Sequence, residues 1–212
     1  MKVYQVKIEM KGSEPHIWRR VLVAANTDFQ ELHQMIQHVF HFRDNHVYMF
    51  SLPDHNLKVT TDAEALEVYG EYLANREQIE KTLGALATPF AKEQLAKYRT
   101  EVQRPDGLFI EPYVEPGICF EYVYDFKAQW EMVLTIEGTL EDYALDHPVL
   151  LAGEGAAPPE KIGGLQDFQD FLVAYQNPDH PDHKGARQWG LQEGFTDYNS
   201  EAIQERLKVW RE

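Results

Sequence analysis

Residues 118–136, ICFEYVYDFKAQWEMVLTI, alternate apolar and polar side chains on either side of a short break. Ile118, Phe120, Tyr122, Tyr124 and Phe126 share one side of the first run, and Trp130, Met132, Leu134 and Ile136 share one side of the second. A period of two over this length marks β-strands. With Lys127-Ala128-Gln129 as the connection, the stretch predicts an antiparallel strand pair whose long apolar faces belong in a core.

Toward the N-terminus the same period recurs at Tyr4, Val6, Ile8 and Met10, and a second run spans Ile17 to Val23. Lys11-Gly12-Ser13 supplies turn chemistry, so the two runs predict a hairpin. Thr27 and Gln30 stand at capping-box spacing, and Phe29, Leu32, Ile36, Val39 and Phe40 then share one helical face, which ends near His41–Asp44. His46 to Leu52 reads as a third strand and Leu57 to Thr60 as a short fourth. Hairpin, helix, strand is the start of an open α+β or β-grasp-like sheet, because a hairpin needs a helix over one face. From Ala63 the spacing turns helical, Thr88-Pro89 marks a second helix start, and Pro105-Asp106-Gly107 ends the pair. Pro148 to Gly164 reads as loop. Phe168, Phe171, Leu172 and Tyr175 make a short helix stopped by Pro178, and Ile203, Leu207 and Trp210 mark a C-terminal helix. The expected architecture is one α+β domain over 1–212, mostly antiparallel, with 63–104 as a helical insertion. That insertion holds no Trp, His or Cys, which points to a scaffold or interface role.

Of 212 residues, 43% are hydrophobic and 26% charged, as in soluble globular chains. Twenty Lys and Arg against 35 Asp and Glu leave a net charge of −15. The excess is local: residues 105–183 hold two basic and sixteen acidic groups, while residues 1–62 hold seven of each. Such a field repels phosphate backbones and anionic membranes and favours a basic partner at 105–183, so nucleic-acid binding is not expected. One cysteine, Cys119, permits no intrachain disulfide and no Cys-based zinc site. MKVYQVKIEMKG lacks an apolar signal core, and no window approaches a membrane span, so a cytoplasmic location is expected.

Several strings occur in order: Ile17-Trp18-Arg19-Arg20, Glu31-Leu32-His33, Asn45-His46-Val47-Tyr48, Tyr124-Asp125-Phe126 with Trp130, Gly153 to Glu160 with its double proline, Asn177 to Pro181, and Trp189. Together they resemble the plasmid pRiA4b ORF-3-like family, a set of uncharacterised proteins also found on mobile elements. The resemblance covers roughly 3–60 and 117–210 and implies an α+β domain with no assigned reaction. In the family's pattern the strand turn continues Gly-Asp, then Trp, then His two residues later; here those places hold Lys127, Ala128 and Met132. The cysteine usual before the double proline is Ala157. The departures remove polar residues and keep aromatic ones, so a family site in that hairpin would be incomplete in this chain.

Candidate residues each admit two readings. Asp125 either positions a water or cation with His46 or Glu160, or caps its tight turn. His33, His38, His41 and His46 either offer metal ligands or form a solvated polar face, the reading favoured here. Asp179-His180-Pro181-Asp182-His183 is either a cation site or a solvated loop. Trp18 and Arg20 share a strand face and, with Lys7 and Lys11, suit a cation–π or phosphate contact, or else a core tryptophan with arginines pairing acids. Gly153-Glu154-Gly155 lacks the Gly-Lys-Ser/Thr of a phosphate loop, and Cys119 is expected to be packed in its strand. No catalytic, cofactor or metal motif is present. The expected function is a non-enzymatic binding domain with an acidic surface and an aromatic pocket of Trp18, His46, Tyr48, Tyr124 and Trp130, for a protein or small-molecule partner. A degenerate metal-assisted hydrolase or nuclease-like enzyme and a nucleic-acid-associated protein are the competing readings.

Overall fold

The computed structural model describes residues 1–144 and 146–210. The alternating N-terminal runs become β1 (Val3–Met10) and β2 (Trp18–Ala24), paired antiparallel with Val6 opposite Val21. α1 (Phe29–Phe40) follows. Its capping box lies one residue later than the sequence spacing suggested: Asp28 accepts from the Glu31 amide at 2.8 Å, and Glu31 accepts from the Asp28 amide at 3.2 Å. Carboxylates are strong acceptors for the free amides of a helix start, whereas Thr27 is buried in the preceding turn. His41 in the left-handed region ends the helix.

β3 (Tyr48–Leu52) and β4 (Leu57–Thr60) form a second hairpin. The helical pair is α2 (Ala63–Leu86), with a kink at Asn75, and α3 (Pro89–Arg99), capped by Thr88. Within it Tyr72 stacks on Tyr98, while Tyr72, Arg76 and Arg99 all bond Glu80. The Arg99 bond is the largest of the effects drawing that carboxyl down to about 2. The arm does not end as helix: β5 (Glu101–Gln103) returns parallel to β4.

The deciding stretch folds as β6 (Cys119–Tyr124) and β7 (Trp130–Leu140), antiparallel, with Tyr124 opposite Trp130. β8 (Val149–Glu154) lies within the segment expected to be loop and pairs with β2. α4 (Leu165–Gln176), α5 (His183–Glu193) and α6 (Ser200–Lys208) complete the described chain. The eight strands are ordered β5-β4-β3-β6-β7-β1-β2-β8, all neighbours antiparallel except β4 and β5. This is an α+β fold. The hairpin–helix–strand start is present, but β1 lies between β2 and β7 rather than beside β3, and the order does not confirm a β-grasp.

Alternation divides the sheet. Tyr4, Val6, Ile8, Tyr48, Phe50, Tyr122, Tyr124, Trp130, Met132 and Leu134 face a core shared with α1, α4 and α6. Each fully buried large side chain contributes roughly 1.5–3 kcal/mol. The other face carries Lys7, Glu9, Trp18, Arg20, Cys119, Glu121 and Glu137, and its charges pair across strands. Arg20 meets Glu137 through Nε and Nη2 at 2.5 and 2.8 Å, and Lys11 lies 3.4 Å from Glu121 and 3.2 Å from Glu131. The balanced N-terminal hairpin therefore neutralises part of the acidic stretch, because β1 is the neighbour of β7.

Candidate functional site

Two polar groups occupy the end of the sheet where α1 stops. The first is closed. His33 and Gln37 lie one turn apart on the buried stripe of α1, and His33 has no exposed surface. Its ring stacks on Tyr48 at 3.6 Å and 7°. Nδ1 lies 2.8 Å from the Tyr122 hydroxyl and Nε2 lies 2.7 Å from Asp44 Oδ1. Gln37 donates to Tyr122 at 3.0 Å and accepts from the Asp44 amide at 3.1 Å. The Asp44 carboxylate can only accept, so His33 Nε2–H donates to it, and in the neutral ring Nδ1 then accepts the Tyr122 proton. Burial holds the His33 pKa below its ordinary value against the opposing pull of Asp44. The expectation of a solvated histidine face fails at His33, which is a core residue satisfied on both nitrogens.

The second group is open. His46 Nε2 is 3.6 Å from Asp125 Oδ2 and 3.9 Å from Glu160 Oε1, with its ring edge-on to Tyr124. Asp125 adopts φ 54° at the start of the β6–β7 turn, and its Oδ1 accepts from the amides of Lys127 and Ala128 at 2.9 and 3.3 Å. It therefore caps the turn and also faces the imidazole. Glu160 accepts from the Tyr124 hydroxyl and from the Arg43 amide in two short bonds. The Tyr124 hydroxyl accepts in turn from the Asn45 amide at 3.0 Å. Burial, with the Glu160 bond, raises the Tyr124 pKa far above its usual value, so the phenol remains a donor. His46, Asp125, Ala128 and Glu160 line an open cavity of about 440 Å³ that also includes Lys127 and Lys161. Gly164, at φ +127°, lets the wall close on the turn: a Cβ there would lie 2.8 Å from the Ala128 carbonyl oxygen.

The aromatic pocket expected from sequence does not form. Tyr48, Tyr124 and Trp130 are at most 2% exposed in the core. Trp18 lies on the opposite sheet face, between Arg20 at 5.1 Å and Lys7 at 5.4 Å. The period of two sends Trp18 and Val21 to opposite faces, and Val21 is the core residue. The cation–π contact of Trp18 and Arg20 is present, and Glu137 occupies the Arg20 guanidinium. Of the two polar positions lost from the family's hairpin, Ala128 lines the cleft and Met132 is fully buried. Cys119 is exposed rather than packed, 3.4 Å from the Thr135 hydroxyl, because it alternates with buried Phe120. Asp179–His183 joins α4 to α5, with its His183 ring bonded to the Ala174 carbonyl. Among the described residues no three or more His, Cys, Asp or Glu side chains are arranged to hold a metal ion, and no helix is long and apolar enough to cross a membrane.

The sequence singled out His46, Asp125 and Glu160, assigned His33 to a solvated face, and gave no sign of the His33–Gln37–Asp44–Tyr122 group. The signal for burial of His33 was helical spacing: it is four residues after Phe29 and three before Ile36, inside the apolar stripe.

Comparison with known proteins matches residues 2–206 to the family described as plasmid pRiA4b ORF-3-like protein. The uncharacterized protein y4hQ of Sinorhizobium fredii is 26% identical over 200 residues, covering 94% of this chain and 85% of that relative. The crystal structure of a protein of unknown function, MM3350 from Methanosarcina mazei Go1, has a TM-score of 0.67 at 22% identity. That match covers 94% of this chain and 96% of the other, and shows a shared fold.

Proposed function

As the chain belongs to the plasmid pRiA4b ORF-3-like family, we propose that it is a non-enzymatic binding domain whose His46–Asp125–Glu160 cleft takes a basic side chain of a protein partner. The observation that carries this reading is a part-exposed imidazole whose Nε2 stands 3.6 and 3.9 Å from two carboxylates, outside hydrogen-bond range of both. Each carboxylate is already oriented by donors of its own chain and retains acceptor capacity. A lysine ammonium or arginine guanidinium entering the cavity would find both in place, without the cost of ordering them. The acidity of residues 105–183 would speed the approach of such a partner.

Calorimetric titration with an oligo-lysine peptide at low salt tests it. Saturable binding is expected, weakened about tenfold or more in a D125N/E160Q double variant, with no binding of an oligo-glutamate peptide. Equal affinity of wild type and variant would place recognition elsewhere on the acidic surface. The degenerate-hydrolase reading has its own test at Ala128, the lost acidic position of the family's hairpin, which lines the cleft. Stoichiometric Mg²⁺, Mn²⁺ or Zn²⁺ binding by A128D, without any by wild type, would favour it.

A further inference from the structure

Across the Arg43–Glu160 contact from the cleft lies a second cavity, of about 230 Å³, between the C-terminal end of α1, the double-proline segment and the α5–α6 connection. In a chain of net charge −15 its walls are unusual, because they bring together Arg19, Arg43, Arg206 and His41. Arg19 is 1% exposed and has no carboxylate partner among the described residues. Its guanidinium lies between the rings of Phe40 and Tyr198 and bonds the carbonyls of Val39, Trp18, Glu154 and Gly155. Arg206 donates Nε to the His38 carbonyl at 2.9 Å and likewise meets no carboxylate among the described residues. The Arg43 side chain has no such partner either; only its backbone amide is engaged, by Glu160.

Part of this arrangement serves the fold, since cations suit a helix C-terminus and two of the arginines bond its last carbonyls. A helix end carries about half a charge, however, and three guanidiniums exceed it. The acids of the cavity restore the balance only in part. Glu193 is paired with Lys161 at 2.9 Å, and Glu160, bonded by the Tyr124 hydroxyl and the Arg43 amide, keeps its charge against the three guanidiniums. Asp197 is the remaining acid of the wall. The local field registers on its neighbours: burial first, then Arg206 and Arg43, holds the His41 pKa below its ordinary value, and burial brings Arg19 down to about 10. Phe40, Phe195 and Ile203 give the cavity an apolar side.

We infer that this cavity binds a small organic oxyanion, a phosphate monoester with a compact apolar body, through Arg43 and Arg206, with buried Arg19 reinforcing the field. The phosphate supplies the countercharge that Glu160 and Asp197 leave unmet, and charge-assisted bonds to two guanidiniums fix its orientation. The Phe195 side receives the apolar body.

Calorimetric titration of the full chain with phenyl phosphate, at low salt and pH 7.5, tests the site. One-to-one saturable binding is expected. R43Q, which removes an exposed side chain with no structural partner, should weaken it about tenfold, and D197N should tighten it severalfold. Backbone amide shifts on titration should cluster at residues 41–43 and 195–199. Absence of saturable binding would overturn the assignment, as would affinity unmoved by R43Q. Inorganic phosphate and chloride binding as tightly as phenyl phosphate, or a single-stranded oligonucleotide outcompeting it, would also overturn it.

Discussion

His33 and His46 are built from the same materials, an imidazole with a carboxylate and tyrosines, and they serve opposite ends. His33 has no exposed surface, stacks face to face on Tyr48 and is hydrogen-bonded on both nitrogens. His46 is 41% exposed, touches Tyr124 edge-on and is bonded to neither nearby carboxylate. Both ring nitrogens of His33 are satisfied within the chain, as buried polar groups usually are, so His33 has nothing left to offer a ligand. A half-exposed group is completed by water or a partner, which leaves the His46 ring uncommitted within the chain. Residue type alone does not distinguish a structural histidine from an available one; the closure of its hydrogen bonds does.

The largest test of this contrast is stability. H33A should cost about 3 kcal/mol or more, because it opens a cavity against Tyr48 and leaves the Tyr122 and Gln37 polar atoms incompletely paired. Urea unfolding midpoints read it directly, and a change under about 1 kcal/mol would mean the closed group contributes little to the fold. A smaller effect comes from ionisation. Folding holds His33 below its ordinary pKa of 6.5, so its neutral form is fully favoured above that value. As pH falls through 6.5 the unfolded chain takes up a proton that folded His33 resists, and stability declines. Denaturation at pH 7.5 and 5.5 should show this loss, reduced but not abolished in H33A, since His38 and His41 are also held low by burial. An H33A slope equal to wild type would assign the acid sensitivity to those two alone.

At Asp125 the open group carries both roles, and two substitutions separate them. D125A removes the turn cap and a residue tolerant of positive φ, at about 1–2 kcal/mol, whereas D125N keeps both and should stay within about 0.5 kcal/mol of wild type. D125N should nevertheless bind the oligo-lysine peptide more weakly. The smallest expected stability change is that of H46A, within about 0.5 kcal/mol. A larger loss in H46A would show that the cleft is structural and would remove the contrast with His33.

Most strands were legible because alternation is a local property: β1, β6 and β7 each show the period within their own residues. β8 was not, since VLLAGE lacks alternation and is an edge strand stabilised by its pairing with β2. β5, three residues long, has no period to read. At the site, His46, Asp125 and Glu160 stood out by residue type and by the resemblance, and the structure brings them together. The expected partners Tyr48, Tyr124 and Trp130 proved to be core, because strand residues that share a face with a buried neighbour go inward with it.

Sequence by itself determined the α+β class, the helical pair α2 and α3, the placement of the net negative charge and the family. Those are sums over neighbouring residues, and neighbours in a chain are always known. Only the tertiary structure decided that β1 would lie beside β7 and neutralise part of its acidity, that His33 would be sealed while His46 stayed open, and that Arg19 and Arg206 would meet across 187 positions of chain. Charge balance, burial and cavity chemistry depend on contacts between distant residues, and those are fixed by sheet order and register rather than by any local pattern.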